Sequence, residues 1–366
     1  MHQRLDEEAL DELELIIPNL NWRYSGGTAA NRTIAPLLAR RCSAAWLGPY
    51  PPDGIRRLRL RDLVMLRLRH PRRHAVRIWH ARRNIEMVVG LALKLLGCRL
   101  GLIFNSAAQR HHTRFTRFLI ARMDAVIATS EASAAYLRRS ATVIHHGIDT
   151  DTYCPPADRR AAFAATGLPG KYGIGTFGRL RPQKGVDVFV DAMCRLLPKY
   201  PDFTAVLIGR TTMEHWPFVE GLKQRVAAQG LAERIRFLGE LPIEEVPRWY
   251  QRIAIYVFAS REEGFGLTML ESMAAGNALV AARAGSAETV VVDGDTGVLV
   301  PAGDGDALVA ALEPLMRDPE WAAEMGRRAR PRVVAHFSRE FEADRIMAVY
   351  RQVWQALEPA KPAERR

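Results

Sequence analysis

Short β-branched or apolar runs alternate with helix-length segments from one end of this chain to the other, and that rhythm is the signature of parallel α/β architecture. The strand candidates in the first half are Leu13–Ile17, Ala44–Leu47, Ala75–Trp79, Leu100–Phe104, Ala125–Thr129 and Val143–His145. In the second half they are Gly173–Phe177, Thr204–Ile208, Arg234–Phe237, Ala254–Phe258, Ala278–Ala282 and Val298–Val300. Two similar sets in 366 residues, a length that calls for about two domains, point to two doubly wound Rossmann-like domains. Regular structure breaks at the paired prolines of Tyr153-Cys-Pro-Pro-Ala-Asp158, so the domains are expected over 1–165 and 166–338. Residues 339–366 are expected to form a last helix, Arg339 to Leu357, and a tail packing back toward the first domain. The helix carries an apolar stripe of Phe341, Ile346, Val349, Tyr350, Val353 and Trp354.

The formal net charge is +12, and nearly all of it is local. Eleven arginines against the single Asp62 give +10 between Ile55 and Ile85. In Arg57-Leu-Arg-Leu-Arg61 and Leu66-Arg-Leu-Arg-His70 arginine alternates with leucine, which suits a half-buried strand or a surface lying against something anionic. Charge alone leaves a solvated basic face, an anionic lipid or acceptor, and nucleic acid open. Against nucleic acid, the chain has no zinc-finger spacing, no aromatic RNP-like strand and no basic helix leading into heptads. Its four cysteines are scattered, and no metal site or disulfide framework is expected. The acidic amino terminus has the wrong polarity for a signal peptide, and no run reaches the ~18 apolar residues of a membrane span, so a cytoplasmic location is expected.

Gly173-Ile-Gly175-Thr-Phe-Gly178 matches a dinucleotide fingerprint, but its glycines lie inside the apolar run instead of between a strand and a helix. The next segment carries more chemistry. Gly178-Arg179-Leu-Arg-Pro-Gln-Lys184-Gly185 is a strand-to-helix turn with long cations beside a helix start, suited to a diphosphate. Arg261-Glu-Glu263-Gly-Phe-Gly266-Leu-Thr-Met-Leu-Glu271 follows a second apolar strand. Its glycines allow close backbone approach, and its two acceptor-only carboxylates suit the hydroxyls of a sugar and a ribose.

Together with Ala284-Gly285-Ser-Ala-Glu288, Asp293-Gly-Asp-Thr-Gly297, Ser25-Gly26-Gly27 and His146-Gly147-Ile148-Asp149, these motifs resemble glycosyltransferase family 4 of the GT-B fold. Trp79-His-Ala-Arg-Arg-Asn84-Ile-Glu86 and Ser106-Ala-Ala-Gln-Arg-His-His112 are similar to the lipopolysaccharide core mannosyltransferases of alphaproteobacteria. The resemblance implies two domains facing a central cleft. It also implies a retaining enzyme that moves a hexose, mannose from GDP-mannose, onto the Kdo region of a lipid A precursor. The partners implied are a nucleotide sugar, an anionic lipid-linked acceptor and the cytoplasmic face of the inner membrane, to which the enzyme would be peripheral, and no nucleic acid.

By the same resemblance, Arg179 and Lys184 hold the donor diphosphate, Glu263 the sugar hydroxyls and Glu271 the ribose; Glu263, Arg179 and Lys184 are the catalytic candidates. Gly26, Gly27, Gly178, Gly264, Phe265, Gly266 and Leu267 complete the donor-binding set. His80, Arg82, Arg83, Asn84, His111 and His112 are candidates for the acceptor pocket, since acidic sugars suit arginine forks. Many relatives have a histidine at the end of the fourth strand, where Asn105-Ser-Ala107 stands here. Two cations and two helix starts face the leaving group, so neither metal nor cofactor is expected. The D-x-D triplets at Asp149/Asp151, Asp293/Asp295 and Asp304/Asp306 sit in turn-like sequence where aspartate is ordinary. A UDP-sugar donor and a nucleotide-sugar epimerase of the same fold stay open as alternatives.

Overall fold

The computed structural model describes residues 7–22, 26–108 and 110–358. The chain divides into two compact units, Met1–His145 with Arg339–Arg366, and His146–Ser338.

The first unit is built on seven parallel strands: β1 Leu15–Pro18, β2 Ala44–Leu47, β3 Arg56–Leu58, β4 Arg77–Ala81, β5 Leu100–Ser106, β6 Ala125–Ala128 and β7 Thr142–Val143, in the order β3-β2-β1-β4-β5-β6-β7. Because successive side chains point to opposite faces, each strand feeds two cores. Leu15, Ile17, Trp46 and Ile78 face one layer, where Tyr350, Val353 and Trp354 of the helix Arg339–Leu357 cover them. Ile16, Ala45, Leu47 and Trp79 face the other, covered by Leu66 and Met87. The Trp354 indole donates to the Val76 carbonyl at 3.1 Å, and Arg41 pairs with Asp344 at 2.7 Å. The last helix is thus a structural layer of the first unit.

The second unit has six parallel strands: β8 Tyr172–Phe177, β9 Phe203–Ile208, β10 Ile235–Gly239, β11 Ile253–Phe258, β12 Ala278–Ala282 and β13 Val298–Val300, in the order β10-β9-β8-β11-β12-β13. The twelve strands read from the sequence have ends within two residues of those observed, and β3 is not among them. β3 is short and leads into a helix, Leu60–Leu68, where arginine and leucine alternate and a strand was one expectation. The Asp62 carboxylate accepts the Arg59 amide at 2.8 Å and closes the first turn, and Leu66 is buried while its neighbours Arg67 and Leu68 are exposed.

The units meet in sequence at His145/His146, some twenty residues before the boundary expected at 165. The prolines end regular structure without ending packing. Past them, the Arg159 guanidinium donates to the carbonyls of Tyr250, Ile253 and Ala275 at 2.6–2.9 Å. Its burial there lowers its pKa to about 10. Phe163 is fully buried, and the Ile148 amide donates to the Phe337 carbonyl at 2.9 Å. Residues 146–165 are therefore part of the second unit.

Candidate functional site

In an open parallel sheet, ligands bind outside the carboxyl ends of the strands where the strand order reverses. In the second sheet that point lies between β8 and β11, and the loops leaving these strands are the two cation- and carboxylate-bearing motifs. Close backbone packing stitches the loops together. Gly185 has φ +63°, and a Cβ there would stand 1.9 Å from the Ala259 carbonyl oxygen. The Gln183 carbonyl accepts the Arg261 amide at 2.9 Å, and Arg261 reaches back to Asp187 at 2.7 Å.

This packing brings Lys184 onto Glu263, where the ammonium and carboxylate form a half-buried ion pair. The other Glu263 oxygen accepts the Gly264 amide at 2.9 Å. Arg179 stays exposed, and among the described residues its guanidinium makes no hydrogen bond or ion pair. Gly178, Arg179 and Lys184 line one narrow crevice with Tyr256, Ser260 and Thr268.

The loop running on from Glu263 is held from below. The Phe265 carbonyl accepts the Ser286 hydroxyl at 2.6 Å, and a Cβ on Gly285 would stand 2.8 Å from the same oxygen. The buried Phe265 ring meets His146 edge-on at 5.5 Å, so its side chain anchors the loop while Leu267 lies exposed. Gly266 has φ +98° and starts the helix Leu267–Ala274. One turn into it, Glu271 accepts the Tyr250 hydroxyl at 2.9 Å. Tyr250 is fully buried against Phe177 and Tyr256, at ring distances of 4.6 and 5.4 Å. Burial holds the Glu271 carboxyl above its ordinary range, opposed by hydrogen bonds from Tyr250 and Tyr153. Neither tyrosine stood out as a site residue in the sequence, because even Tyr250, the nearer, lies 21 positions from Glu271 and carries no local pattern.

In the first sheet the strand order reverses between β1 and β4. Beside it, at the ends of β4 and β5, lies a polar cavity of about 550 Å³. Four acceptor candidates line it: Arg82, Asn84, His111 and His112. The two histidines both reach it because they lie in a loop, not a strand. His80 does not: it is buried on the other side of β4 with Nδ1 2.5 Å from the Tyr350 hydroxyl, and burial pushes its pKa far down. Arg83 is turned away as well, donating to Asn19, Thr28 and Glu86 at 2.8–2.9 Å. Asn105, Ser106, Arg110, Thr113 and Thr116 join the lining without having been candidates. The Asn105 Oδ1, Ser106 Oγ, Arg82 Nε and His112 Nε2 atoms are buried with no hydrogen-bond partner among the described residues. Such atoms call for a polar ligand or water. Burial and then Arg110 lower the His112 pKa, which keeps the ring neutral at pH 7.

Gly26 and Gly27 open the helix Gly26–Ala39, while Tyr24 and Ser25 lie outside the described residues. In the D-x-D triplets, Asp149 accepts the Asp151 and Thr152 amides, Asp293 the Leu299 amide, and Asp304 caps a helix at the Ala307 amide.

A family model described as glycosyl transferases group 1 matches residues 158–332. The chain is 47% identical over 341 residues to the lipopolysaccharide core biosynthesis mannosyltransferase LpcC of Rhizobium leguminosarum, covering 93% of this chain and 96% of that one. It belongs to the group 1 glycosyltransferases. The crystal structure of the C-terminal domain of a group 1 glycosyl transferase from Francisella tularensis matches this enzyme at 36% identity and a TM-score of 0.51. That match covers 52% of this chain and 99% of that domain. Anabaena HepE, solved with UDP and glucose, has the same two-unit GT-B fold at 21% identity and a TM-score of 0.74, covering 93% of this chain and all of that one. The matched family segment contains both stitched loops of this glycosyltransferase and the whole β8–β11 switch point.

Proposed function

We propose that this glycosyltransferase moves mannose from GDP-mannose, with retention, to the Kdo region of a lipid-anchored lipopolysaccharide core acceptor at the cytoplasmic face of the inner membrane. The observation that carries the reading is its 47% identity to a core mannosyltransferase, over a span too long to leave out either unit. In this reading the leaving GDP, which gathers negative charge, lies against Arg179 and Lys184. Glu263 exchanges part of its ion pair for the sugar hydroxyls, and Glu271 accepts from the ribose. The cations come from the chain, so the reaction needs no metal. The acidic acceptor sugar enters the polar cavity of the first unit, where Arg82, Arg110 and the His112 ring supply donors.

Initial rates with GDP-mannose, UDP-glucose and UDP-GlcNAc, each with a Kdo-lipid acceptor and with or without EDTA, test this. Mannose transfer from GDP-mannose that EDTA leaves unchanged is expected. Transfer from a UDP-sugar alone, or interconversion of free UDP-GlcNAc without acceptor, would overturn it.

Two substitutions separate the donor and acceptor sides. Arg110→Ala should raise the acceptor KM about 10- to 100-fold, the loss of a hydrogen bond from a charged donor, with the donor KM unchanged. An unchanged acceptor KM would take the cavity out of the reaction. Tyr250→Phe removes a hydrogen bond that lowers the Glu271 pKa, so the carboxyl, already held high by burial, titrates higher still. Only the ionised carboxylate accepts both ribose hydroxyls. Donor binding that weakens as pH falls should therefore begin to fail at a higher pH in the variant than in the parent, read as a donor KM that rises earlier on the acid side of the profile. A profile identical to the parent's would mean that Glu271 does not touch the donor.

A further inference from the structure

We infer that the outer sides of three helices in the first unit, Leu60–Leu68, Asn84–Leu95 and Arg114–Ile120, form a face that inserts shallowly into an anionic lipid bilayer. The inference rests on the reading that the acceptor is lipid-linked.

All three helices are apolar on more than their inner side. A helix that is hydrophobic all round belongs in a core, yet these have one side in a core and the other in solvent. On Leu60–Leu68, Leu66 is buried, whereas Leu60, Val64 and Leu68 recur at i, i+4 and i+8 and are 74%, 69% and 68% exposed. Helical periodicity sets Arg61 and Arg67 on either flank of that ridge, both exposed. The one carboxylate of the helix, Asp62, turns back to the Arg59 amide.

Asn84–Leu95 repeats the pattern. Its inner side is full: Met87 is buried, and a Cβ on Gly90 would stand 2.7 Å from the Trp79 Nε1. Its outer side shows Ile85, Val88 and Leu95, the last 87% exposed, followed by exposed Leu96. Its two charged residues do not break that stripe, because Glu86 is buried on the Arg82 and Arg83 amides and Lys94 pairs with Asp124. The two helices are neighbours, since a Cβ on Gly97 would lie 3.6 Å from the Arg67 Nε. The third helix shows exposed Phe115 and Phe118 beside exposed Arg114 and half-buried Arg117.

Charge and position choose the occupant. An apolar ridge flanked by exposed arginines suits a surface that is anionic outside and hydrocarbon within, where leucine inserts and guanidinium stays at the head groups. Arg57, Arg59 and Arg67 are exposed with no ion pair among the described residues, and each basic residue adds to the attraction of an acidic leaflet. A nucleic-acid duplex would use the arginines but leave the leucines in water. Position agrees: the Asn84 amide donates to the Thr116 hydroxyl at 2.7 Å, and both residues line the polar cavity. Two of the three helices therefore start at the rim where an acceptor sugar would enter, and its lipid would remain beside them.

The test uses the full chain without donor or acceptor, so it does not depend on the sugar chemistry. Sedimentation with vesicles of phosphatidylcholine containing about 30% phosphatidylglycerol is compared with pure phosphatidylcholine. The parent should bind the anionic vesicles and keep part of that binding in high salt, and the triple variant Leu60→Ser, Val64→Ser, Leu68→Ser should partition about 100-fold less. These side chains are exposed, so the variant should fold, which circular dichroism and an unchanged urea-unfolding midpoint would verify. Val64→Cys carrying an environment-sensitive dye should shift to the blue on anionic vesicles alone. Equal binding by parent and triple variant, no dye shift, or preference for a DNA duplex over vesicles would each overturn the inference. Self-association of the parent that the triple variant abolishes, without vesicle binding, would assign the face to a second copy and overturn it as well.

Discussion

Replacing Lys184 by alanine is expected to lower kcat/KM for sugar transfer by about 10²–10³-fold, and Arg179→Ala by a similar factor, while both variants keep the parental fold. A fixed cation facing a departing diphosphate is worth most when the charge has developed, so the loss should fall mainly in kcat. The two cations differ in their resting state. Arg179 is exposed and unpartnered among the described residues, and can meet phosphate directly. Lys184 is already paired with Glu263 and must share its charge between the carboxylate and the donor. Lys184→Met should thus do two kinds of harm, removing a phosphate ligand and leaving Glu263 without its counter-ion, whereas Glu263→Gln should weaken the hold on the sugar and release Lys184 from its counter-ion. A double-mutant cycle over this pair should be non-additive, with the double variant less impaired than the product of the single effects. Arg179 and Glu263, which share no contact in the resting enzyme, should give effects closer to additive. Turnover within threefold of the parent for Arg179→Ala and Lys184→Ala, measured with saturating acceptor, would remove both residues from the donor site (about 0.65 kcal/mol of barrier).

Gly185→Ala is the second large effect. The position combines a left-handed φ of +63° with a carbonyl 1.9 Å from where a Cβ would stand. Conformational strain and overlap together should destabilise the second unit by about 2–5 kcal/mol. They should also push the Pro182–Lys184 turn away from Ala259, so that Lys184 loses Glu263 and activity falls with stability. Gly230→Ala is the matched control. Its φ is +69°, but nothing lies within 4 Å of the added Cβ, so only the left-handed penalty of about 1–2 kcal/mol applies and activity should survive. Urea unfolding followed by tryptophan fluorescence, with transfer activity assayed on the same samples, compares the two. Equal midpoints would mean that the close approach of the two loops does not organise the site.

These effects depend on features of different visibility. Strand positions could be read because parallel strands buried on both faces leave short apolar runs, and the last helix because its stripe of Val349, Tyr350, Val353 and Trp354 has the helical period. The alternation of arginine and leucine after residue 55 was ambiguous, since a ridge exposed at i, i+4 and i+8 beside a buried Leu66 mimics a strand over a few residues. The paired prolines marked a break in regular structure, but not the end of a unit. Arg159 decided that by bonding carbonyls that lie more than ninety positions away.

The class of fold and the chemistry of both donor-side loops follow from the order of residues alone, because each is a local pattern: a strand, a glycine-bearing turn, a charged group and a helix start within about a dozen residues. It took the folded chain to establish that Lys184 rests on Glu263, that Glu271 hangs from Tyr250, that His80 lies under the helix Arg339–Leu357, and that Asn105, Ser106 and Arg110 share a cavity with His112. Each of these is a contact between residues remote in sequence or a choice of which side of a strand a residue faces. Such contacts depend on how far two loops approach and what covers each face of the sheet, and no local spacing encodes that.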